Sequence, residues 1–348
     1  MEKDFSIADS MTEKGFGDIH LYHCKETGLM AIIAIHSTHR GPAIGGCRCL
    51  PYAHVNDAIS DAMQLGRAMS YKAAIHELPH GGGKAVLIRP DNIADRRAYF
   101  HRFAECVAQL NGRYITSVDS GTSTDDMNIV LESTPHVLGY NREEAHYSND
   151  PSILTARGVK HAIAAAVEHQ LQRSLEGIRV AIQGTGHVGG ELCRLLVEAG
   201  ATVTVADIDR ARAEQIAQTH GVNVVDNEVI LHTACDVLAP CALGGIINPD
   251  NLSQLQCQII CGAANNQLSD NRLDQELAKR NIVYIPDYLA NGGGLIFVAS
   301  NHINDSDVVM LDKVDAMYPR VQHILEQATA QGITPLTACN AIAEANMG

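Results

Sequence analysis

The chain has 348 residues, 46% hydrophobic and 19% charged, a composition of a folded globular protein and a length for which two domains with separate cores are expected. A formal net charge of −14 argues against a broad basic face, so small molecules are the expected partners, and nucleic acid and anionic membranes are not. No window approaches the length of a membrane span and the N-terminal MEKDFSIADS has no apolar secretory stretch, so a cytoplasmic location is expected.

In chain order, the first clear strand pattern is LMAIIAIH over 29–36, entered from the HLYHC run through a hairpin turn at Glu26-Thr27-Gly28. VNDAISDAMQLGRAMSYKAA follows, with Ala58, Ile59, Ala62, Met63, Leu65, Ala68 and Met69 near helical spacing, which predicts a helix ending around Tyr71 and Lys72. HELPHGGGKAVLI comes next and reads as a glycine-rich loop carrying Lys84, then a strand over 85–88. A nucleoside-triphosphate loop needs Ser or Thr after its lysine and a helix after that; Ala85, Val86, Leu87 and Ile88 supply neither. RRAYFHRFAECVAQL predicts a helix stopping at Asn111-Gly112, and RYITSVDSGTSTDDM a strand followed by a polar loop.

Near residue 150 the pattern changes. Asn149-Asp150-Pro151-Ser152 breaks the chain, an alanine-rich helix is expected over 155–170, and from Gly177 strands alternate with helices, the pattern of a covered parallel sheet. Two amphipathic helices are expected over 307–327 and 335–347, with no strand between them. The ten cysteines are scattered or set in apolar segments and are read as reduced thiols. Cys47-Arg48-Cys49 has no second pair beside it and the seventeen histidines include no HExxH, so no metal site is expected.

The most informative stretch is GIRVAIQGTGHVGGELCRLLVEAGATVTVADID. A strand over 179–183 leads into Gly184-Thr185-Gly186-His187-Val188-Gly189, then a helix, then a strand over 202–206 ending in Asp207. Glycines permit the tight turn and let backbone N–H groups at the positive end of the helix reach a pyrophosphate. Asp207, with Asp209 close by, would accept hydrogen bonds from an adenosine ribose and repel a 2′-phosphate, which favours NAD over NADP. A chemistry for the rest of the chain is suggested by Lys72 and Lys84 flanking one tight apolar segment, with Asp119 further on. A single lysine beside a turn is usually a solvated cation, but two ammonium groups facing one cleft would repel, and the neutral amine left by desolvation is a usable base near neutral pH.

Several ordered motifs carry a resemblance that runs nearly end to end: GPAIGGCR (41–48), GRAMSYKAA (66–74), GGGKAV (81–86), LNGRYIT (110–116), DSGTSTDDM (119–127), PCALGGIIN (240–248), GAANNQL (262–268) and PDYLANGGG (286–294). The sequence resembles the family of amino-acid dehydrogenases acting on glutamate, leucine, phenylalanine and valine, most of all its leucine-active members. The resemblance implies an α/β protein of two domains. An N-terminal substrate-binding and oligomerisation domain would span 1–145, with C-terminal helices over 318–348 packed back on it, and a Rossmann-type NAD domain with a parallel sheet would span 146–317. It also implies a homo-oligomer, an octamer or a smaller dimer or tetramer.

By the same resemblance, Lys72 binds the substrate carboxylate, Lys84 is the neutral base and Asp119 moves a proton to and from the substrate amine. Thr155 and Asn291 orient the nicotinamide amide and help hold the substrate carboxylate, and Asn265 and Asn266 line the nicotinamide ribose. Ile208, Ala239, Pro240 and Cys241 join the glycine turn at the cofactor, and Gly45 and Met69 join the substrate side. Ile44 and Val298 stand where glutamate-specific relatives have lysine and serine, so an apolar substrate is expected, because a charged side chain would be buried there without a partner. Ser117 and Leu295 complete the pocket where leucine-specific relatives tend to have alanine and valine; Leu295 is more typical of phenylalanine-active members, so leucine, valine, isoleucine and phenylalanine stay open. Val118-Asp119-Ser120, Gly292 and His187 also depart from the family's usual residues, and none of these changes removes a charged catalytic group. A catalytically inactive NAD-binding sensor is the alternative of another class, and the retained Lys72, Lys84 and Asp119 weigh against it.

Overall fold

The structure, a computed structural model, describes residues 6–141 and 150–348, in two compact units. Asn149 of the expected break and the expected boundary between 145 and 146 lie outside the described residues. The first unit contains the described residues before 150, with Val298–Asn304 and Ala343–Gly348; the second contains Asp150–Phe297 and Asp305–Ile342.

The first unit runs α1 (Ile7–Lys14), β1 (Asp18–Cys24), β2 (Leu29–Ser37), β3 (Ala43–Leu50), α2 (Val55–Ile75), β4 (Gly81–Ile88), α3 (Arg96–Ala108), β5 (Tyr114–Val118) and α4 (Thr124–Leu131). Its five strands lie in the order β1-β2-β4-β3-β5, with β1 and β4 antiparallel to β2, and β4 and β5 parallel to β3. Alternation along the strands divides the core. Ile32, Ala34 and Val86 pack with Ala58, Ile59, Ala62 and Met63 of α2, while Ile33, Cys47 and Leu87 pack with Phe100, Phe103 and Val107 of α3.

The expected glycine loop is strand. Gly81, Gly82 and Gly83 open β4, at the middle of the sheet, with β2 on one side and β3 on the other. A methyl added at Gly82 would lie 2.0 Å from the Ser70 backbone nitrogen, so the glycine lets α2 pass directly over the strand. The close crossing also carries α2 to Ile75, beyond the end expected near Lys72, which therefore sits in its last turn. The polar loop after β5 contains α4, started by a capping box in which Ser123 accepts from the Asp126 backbone and Asp126 accepts from that of Ser123.

The second unit runs α5 (Pro151–Leu171), β6 (Arg179–Gln183), α6 (His187–Glu198), β7 (Thr202–Ala206), α7 (Arg210–His220), β8 (Asn223–Val224), β9 (Val237–Pro240), β10 (Ile259–Ile260), α8 (Leu273–Lys279), β11 (Val283–Tyr284), α9 (Asp287–Ala290), α10 (Gly293–His302), α11 (Asp307–Asp315), α12 (Met317–Gln331) and α13 (Pro335–Met347). Of these, the last part of α10 and of α13 belong to the first unit. All neighbours in the six-stranded sheet are parallel, in the order β11-β10-β9-β6-β7-β8, the doubly wound arrangement with its switch point between β6 and β9. Ala181, Leu238 and Ile260 bury one face with Leu273 and Leu277 of α8.

Two differences appear at the C-terminus. The helix expected over 307–327 is two helices, because Pro319 lacks an N–H and its ring collides with the carbonyl four residues earlier; α12 restarts with that proline in its first turn. The terminal helices expected on the first unit belong mostly to the second: α12 packs along α5, and only Ala343–Gly348 group with the first. There Arg40 donates to the Asn346 carbonyl at 3.1 Å and Asn346 to that of Ala74 at 3.1 Å. No described helix is long and apolar enough to cross a membrane.

Gly82→Ala is expected to lower stability by about 1–3 kcal/mol through overpacking, measured by denaturant unfolding followed by circular dichroism. Gly17→Ala, whose methyl meets nothing within 4 Å, should change stability by less than about 1 kcal/mol. Equal losses in both variants would remove the helix–strand contact as the cause.

Candidate active site

Strand register sets out the first unit's candidate residues. Ile44 pairs with Gly82 of β4 and Ile115 of β5, and Gly46 pairs with Ser117. Side chains two apart share a face, so Ile44, Arg48, Lys84 and Ser117 all lie on the α2 face. Lys84 is 6% exposed, and its Nζ lies 2.5 Å from Oδ2 of Asp119, just beyond β5. Because β3 runs between β4 and β5, that contact crosses an intervening strand. Gly46 makes the crossing possible: a methyl there would come within 2.8 Å of both the Asp119 Cβ and the Val118 carbonyl oxygen. Thr122 steadies the other end, its hydroxyl accepting from the Asp119 N–H at 2.9 Å and donating to the Cys47 carbonyl at 2.9 Å.

Burial opposes ionisation of Asp119, but the charge and hydrogen bond of Lys84 and the charge of Arg48 outweigh it and hold the carboxyl below its usual range. The group touching the Lys84 ammonium is therefore a carboxylate, where a second ammonium from Lys72 was expected. Lys72 and Met69 lie half-buried one turn apart on the same face of α2. The Gly45 carbonyl accepts from Tyr114 Oη at 2.6 Å. Arg48 is a functional candidate that the motif GPAIGGCR contains without singling out, and its period-two spacing from Ile44 and Gly46 is the sequence signal for it. Its partner Asp61 and Tyr52 carried no comparable signal, since Asp61 approaches from a helix and only the folded chain brings them together.

In the second unit, Gly184 at the end of β6 has φ +98, and a methyl on it would meet Ala242 N at 2.9 Å and the Cys241 carbonyl carbon at 3.0 Å. The glycine turn and the Ala239-Pro240-Cys241 segment at the end of β9 thus meet at the switch point. Gly186 caps α6 without a side-chain hydrogen bond, and nothing lies within 4 Å of where its Cβ would be. The first N–H groups of a helix have no internal acceptor, so this open cradle fits a dinucleotide pyrophosphate. Val188 and Gly189 lie in the same first turn; His187 is exposed, its Nδ1 3.8 Å from an Asp150 carboxylate oxygen, and Ile208 is 86% exposed.

Asp207, expected to meet a ribose, has partners within the protein. Its carboxylate accepts from Thr185 N at 2.7 Å, Thr185 Oγ1 at 3.0 Å and Asp209 N at 2.9 Å, so it anchors the turn and retains about one of four acceptor positions for a ligand. Burial opposes its ionisation, and these hydrogen bonds outweigh that and lower its pKa. Asp209 instead caps α7, accepting from Arg212 N at 3.2 Å.

Asn291 donates both amide hydrogens, to the Ala263 carbonyl at 2.9 Å and Asn265 Oδ1 at 2.8 Å, and its buried Oδ1 has no protein partner. It therefore offers an acceptor, which fits a carboxamide N–H; the expected share in holding a substrate carboxylate has no donor left to do it. Asn266, at φ +51, donates its backbone N–H to Asp287 at 2.5 Å. Thr155 donates to the Pro151 carbonyl at 2.9 Å and lies against Gly294, and Leu295 and Val298 follow one turn apart on α10. The predicted residues are thus shared between the units, with Val298 of α10 in the first and Leu295 in the second.

A doubly wound sheet with a glycine turn at its switch point, in a chain whose other α/β unit bears a lysine–aspartate pair, defines a dinucleotide-dependent oxidoreductase of two domains. Known proteins narrow that class. Residues 19–136 match the dimerisation domain of Glu/Leu/Phe/Val dehydrogenases, and 148–211 with 204–347 match the Glutamate/Leucine/Phenylalanine/Valine dehydrogenase domain. The chain is 40% identical to leucine dehydrogenase of Thermoactinomyces intermedius, over 97% of this chain and 92% of that one, and 39% identical to phenylalanine dehydrogenase of the same organism, over 94% and 90%. The crystal structure of L-tryptophan dehydrogenase from Nostoc punctiforme superposes with a TM-score of 0.87 at 38% identity, covering 98% of each chain. This protein belongs to the Glu/Leu/Phe/Val dehydrogenase family, whose members are NAD(P)-dependent amino-acid dehydrogenases.

Asp207→Ala should weaken NADH binding at least about tenfold, which is about 1.4 kcal/mol, as read by NADH fluorescence titration. Unchanged affinity would show that the turn keeps its shape without this carboxylate.

Proposed function

We propose that this protein catalyses reversible, NAD-dependent oxidative deamination of apolar L-amino acids, leucine foremost, with valine and isoleucine. The balanced reaction takes an L-amino acid, NAD⁺ and water to a 2-oxo acid, ammonium, NADH and a proton. The observation that carries it is the pairing of buried Lys84 with the partly buried Asp119 on the same sheet face as Ile44 and Ser117. Ile44 is 1% exposed and has no hydrogen-bonding group, so a substrate side chain bearing a carboxylate would lose its hydration there without compensation.

When bound, NAD accepts hydride from the substrate α-carbon. The chain's own groups do the rest of the work: Lys72 is the fixed cation for the substrate carboxylate, Asp119 takes and returns the proton of the substrate amine, and Lys84 activates water. The 2.5 Å contact between Lys84 and Asp119 offers a path for a proton between them. Asp207 supports NAD over NADP, because a 2′-phosphate would be brought against a carboxylate whose charge is kept by three hydrogen bonds. Self-association through the first unit is part of this proposal, supported by its match to a dimerisation domain and by the edge strand β1, where Leu21 is 51% exposed.

An aromatic substrate is the second reading. Relatives acting on phenylalanine and tryptophan are about as similar as those acting on leucine, and Leu295 stands where the resemblance gives phenylalanine-active members a leucine. Absorbance at 340 nm with NAD and a panel of L-amino acids, repeated with NADP, is expected to give fastest turnover on aliphatic substrates with NAD; higher kcat/KM on phenylalanine or tryptophan would select the second reading. Lys84→Ala should abolish turnover with NAD binding intact, and retained turnover would remove Lys84 as the base. Ile44→Lys should lower kcat/KM for leucine by at least about a hundredfold, about 2.7 kcal/mol. Unchanged leucine kinetics would take Ile44 out of the substrate pocket.

A further inference from the structure

Behind the Lys84–Asp119 pair lies a chain of charged groups that neither the cofactor turn nor the substrate contacts account for. Arg48, on β3 two residues beyond Gly46, places Nε 3.3 Å from Asp119 Oδ2, the same oxygen that Lys84 touches. The other side of its guanidinium faces α2, with Nη1 3.0 Å and 3.3 Å from the two carboxylate oxygens of Asp61. Tyr52 Oη closes the chain by donating to Asp61 Oδ2 at 2.5 Å. Arg48, Asp61 and Asp119 are each about a quarter exposed, which weakens their interaction less than full solvent would.

We propose that Arg48 is the positioning residue for Asp119: clamped by Asp61 and Tyr52, its guanidinium fixes the carboxylate oxygen that meets Lys84 and sets how tightly that carboxylate holds a proton. This rests on Asp119 being the proton carrier of the reaction above. A planar fork suits the task, because Nε and Nη1 reach two acceptors in fixed directions, which a lysine ammonium does not. The geometry also makes Arg48 a shared cation. Asp61 draws part of its charge away from Asp119, so the two neighbours act on Asp119 with opposite sign.

Among the described residues, the groups that bear on Asp119 include Lys84 from β4, Arg48 and the thiol of Cys47 from β3, the phenol of Tyr114 from β5 and the Ser120 backbone N–H, with Asp61 of α2 acting through Arg48. Burial pushes both Cys47 and Tyr114 upward, so they stay neutral where the carboxylate titrates. Burial, reinforced by Asp61, likewise raises the Tyr52 phenol and keeps it a donor. Of the groups named, the lysine, the arginine and the aspartate behind it are the charged ones, the two cations acting against the burial that raises the proton affinity of Asp119.

The test compares the full-length wild type with Arg48→Gln, Arg48→Lys and Asp61→Asn. The pH dependence of kcat/KM for the best amino acid is followed at saturating NAD, and the Asp119 carboxyl is titrated directly by carbon-13 NMR of aspartate-labelled protein, assigned with Asp119→Asn. Arg48→Gln should move the Asp119 titration and the acidic limb up by about one pH unit, with kcat falling more than KM rises. Asp61→Asn should move both the other way, and Arg48→Lys should restore the titration but not kcat. A role in folding alone predicts lower activity at every pH with an unmoved titration, and that result, or shifts of the same sign in Arg48→Gln and Asp61→Asn, overturns the proposal. A wild type that oxidises no amino acid would end the functional reading, while the carboxyl titration would still decide whether Arg48 governs Asp119.

Discussion

The contact on which the arrangement of the first unit's candidate site depends is the one between the Lys84 ammonium and the Asp119 carboxylate across a strand that belongs to neither. Strands in a sheet are about 4.8 Å apart, so groups on β4 and beyond β5 start about two spacings from each other. Two glycines remove what would separate them. Gly46 has no side chain in the path of Asp119, and Gly82 lets α2 lie close enough over β4 to shield Lys84 from water. In the low dielectric so produced, a carboxylate and an ammonium at 2.5 Å hold each other firmly, and Arg48 adds a second cation to the same oxygen.

The second unit solves a different problem with the same economy of means. A dinucleotide turn must leave its N–H groups unsatisfied for the ligand and still keep a defined shape. Asp207 supplies the shape by accepting from both the backbone and the hydroxyl of Thr185, while Gly186 leaves the start of α6 open. Asn291 follows similar logic: its two donors go to Ala263 and Asn265, which leaves one buried acceptor without a protein partner.

Much of this fold was legible from periodicity and punctuation. The strand over 179–183, the glycine turn and the strand over 202–206 appear where the alternation of apolar residues and the closing aspartate put them. The hairpin turn before β2 and the stop at Asn111-Gly112 follow from residues that tolerate positive φ. Glycine misled where its context was tertiary: in Gly81-Gly82-Gly83 it marks close crossings within a sheet, whereas local propensity reads three glycines as a loop. The helix starting at Thr124 was missed although Ser123 and Asp126 have capping-box spacing, because the polar residues around them outweighed its short apolar face.

What the sequence by itself determined is the identity of the charged groups, the dinucleotide turn, the alternation that builds a parallel sheet, and the apolar character of Ile44 and Val298. Those properties depend on residue type and on spacings within one element. Only the tertiary structure decided that Lys84 faces Asp119, that Asp207 anchors the turn it was expected merely to follow, that Arg48 joins Asp61 to Asp119, and that α12 packs along α5. Each of these depends on residues brought together from different elements, up to about 160 positions apart in the pairing of α5 with α12, and the directions in which their side chains meet are set by sheet order and helix crossing, which no local spacing encodes.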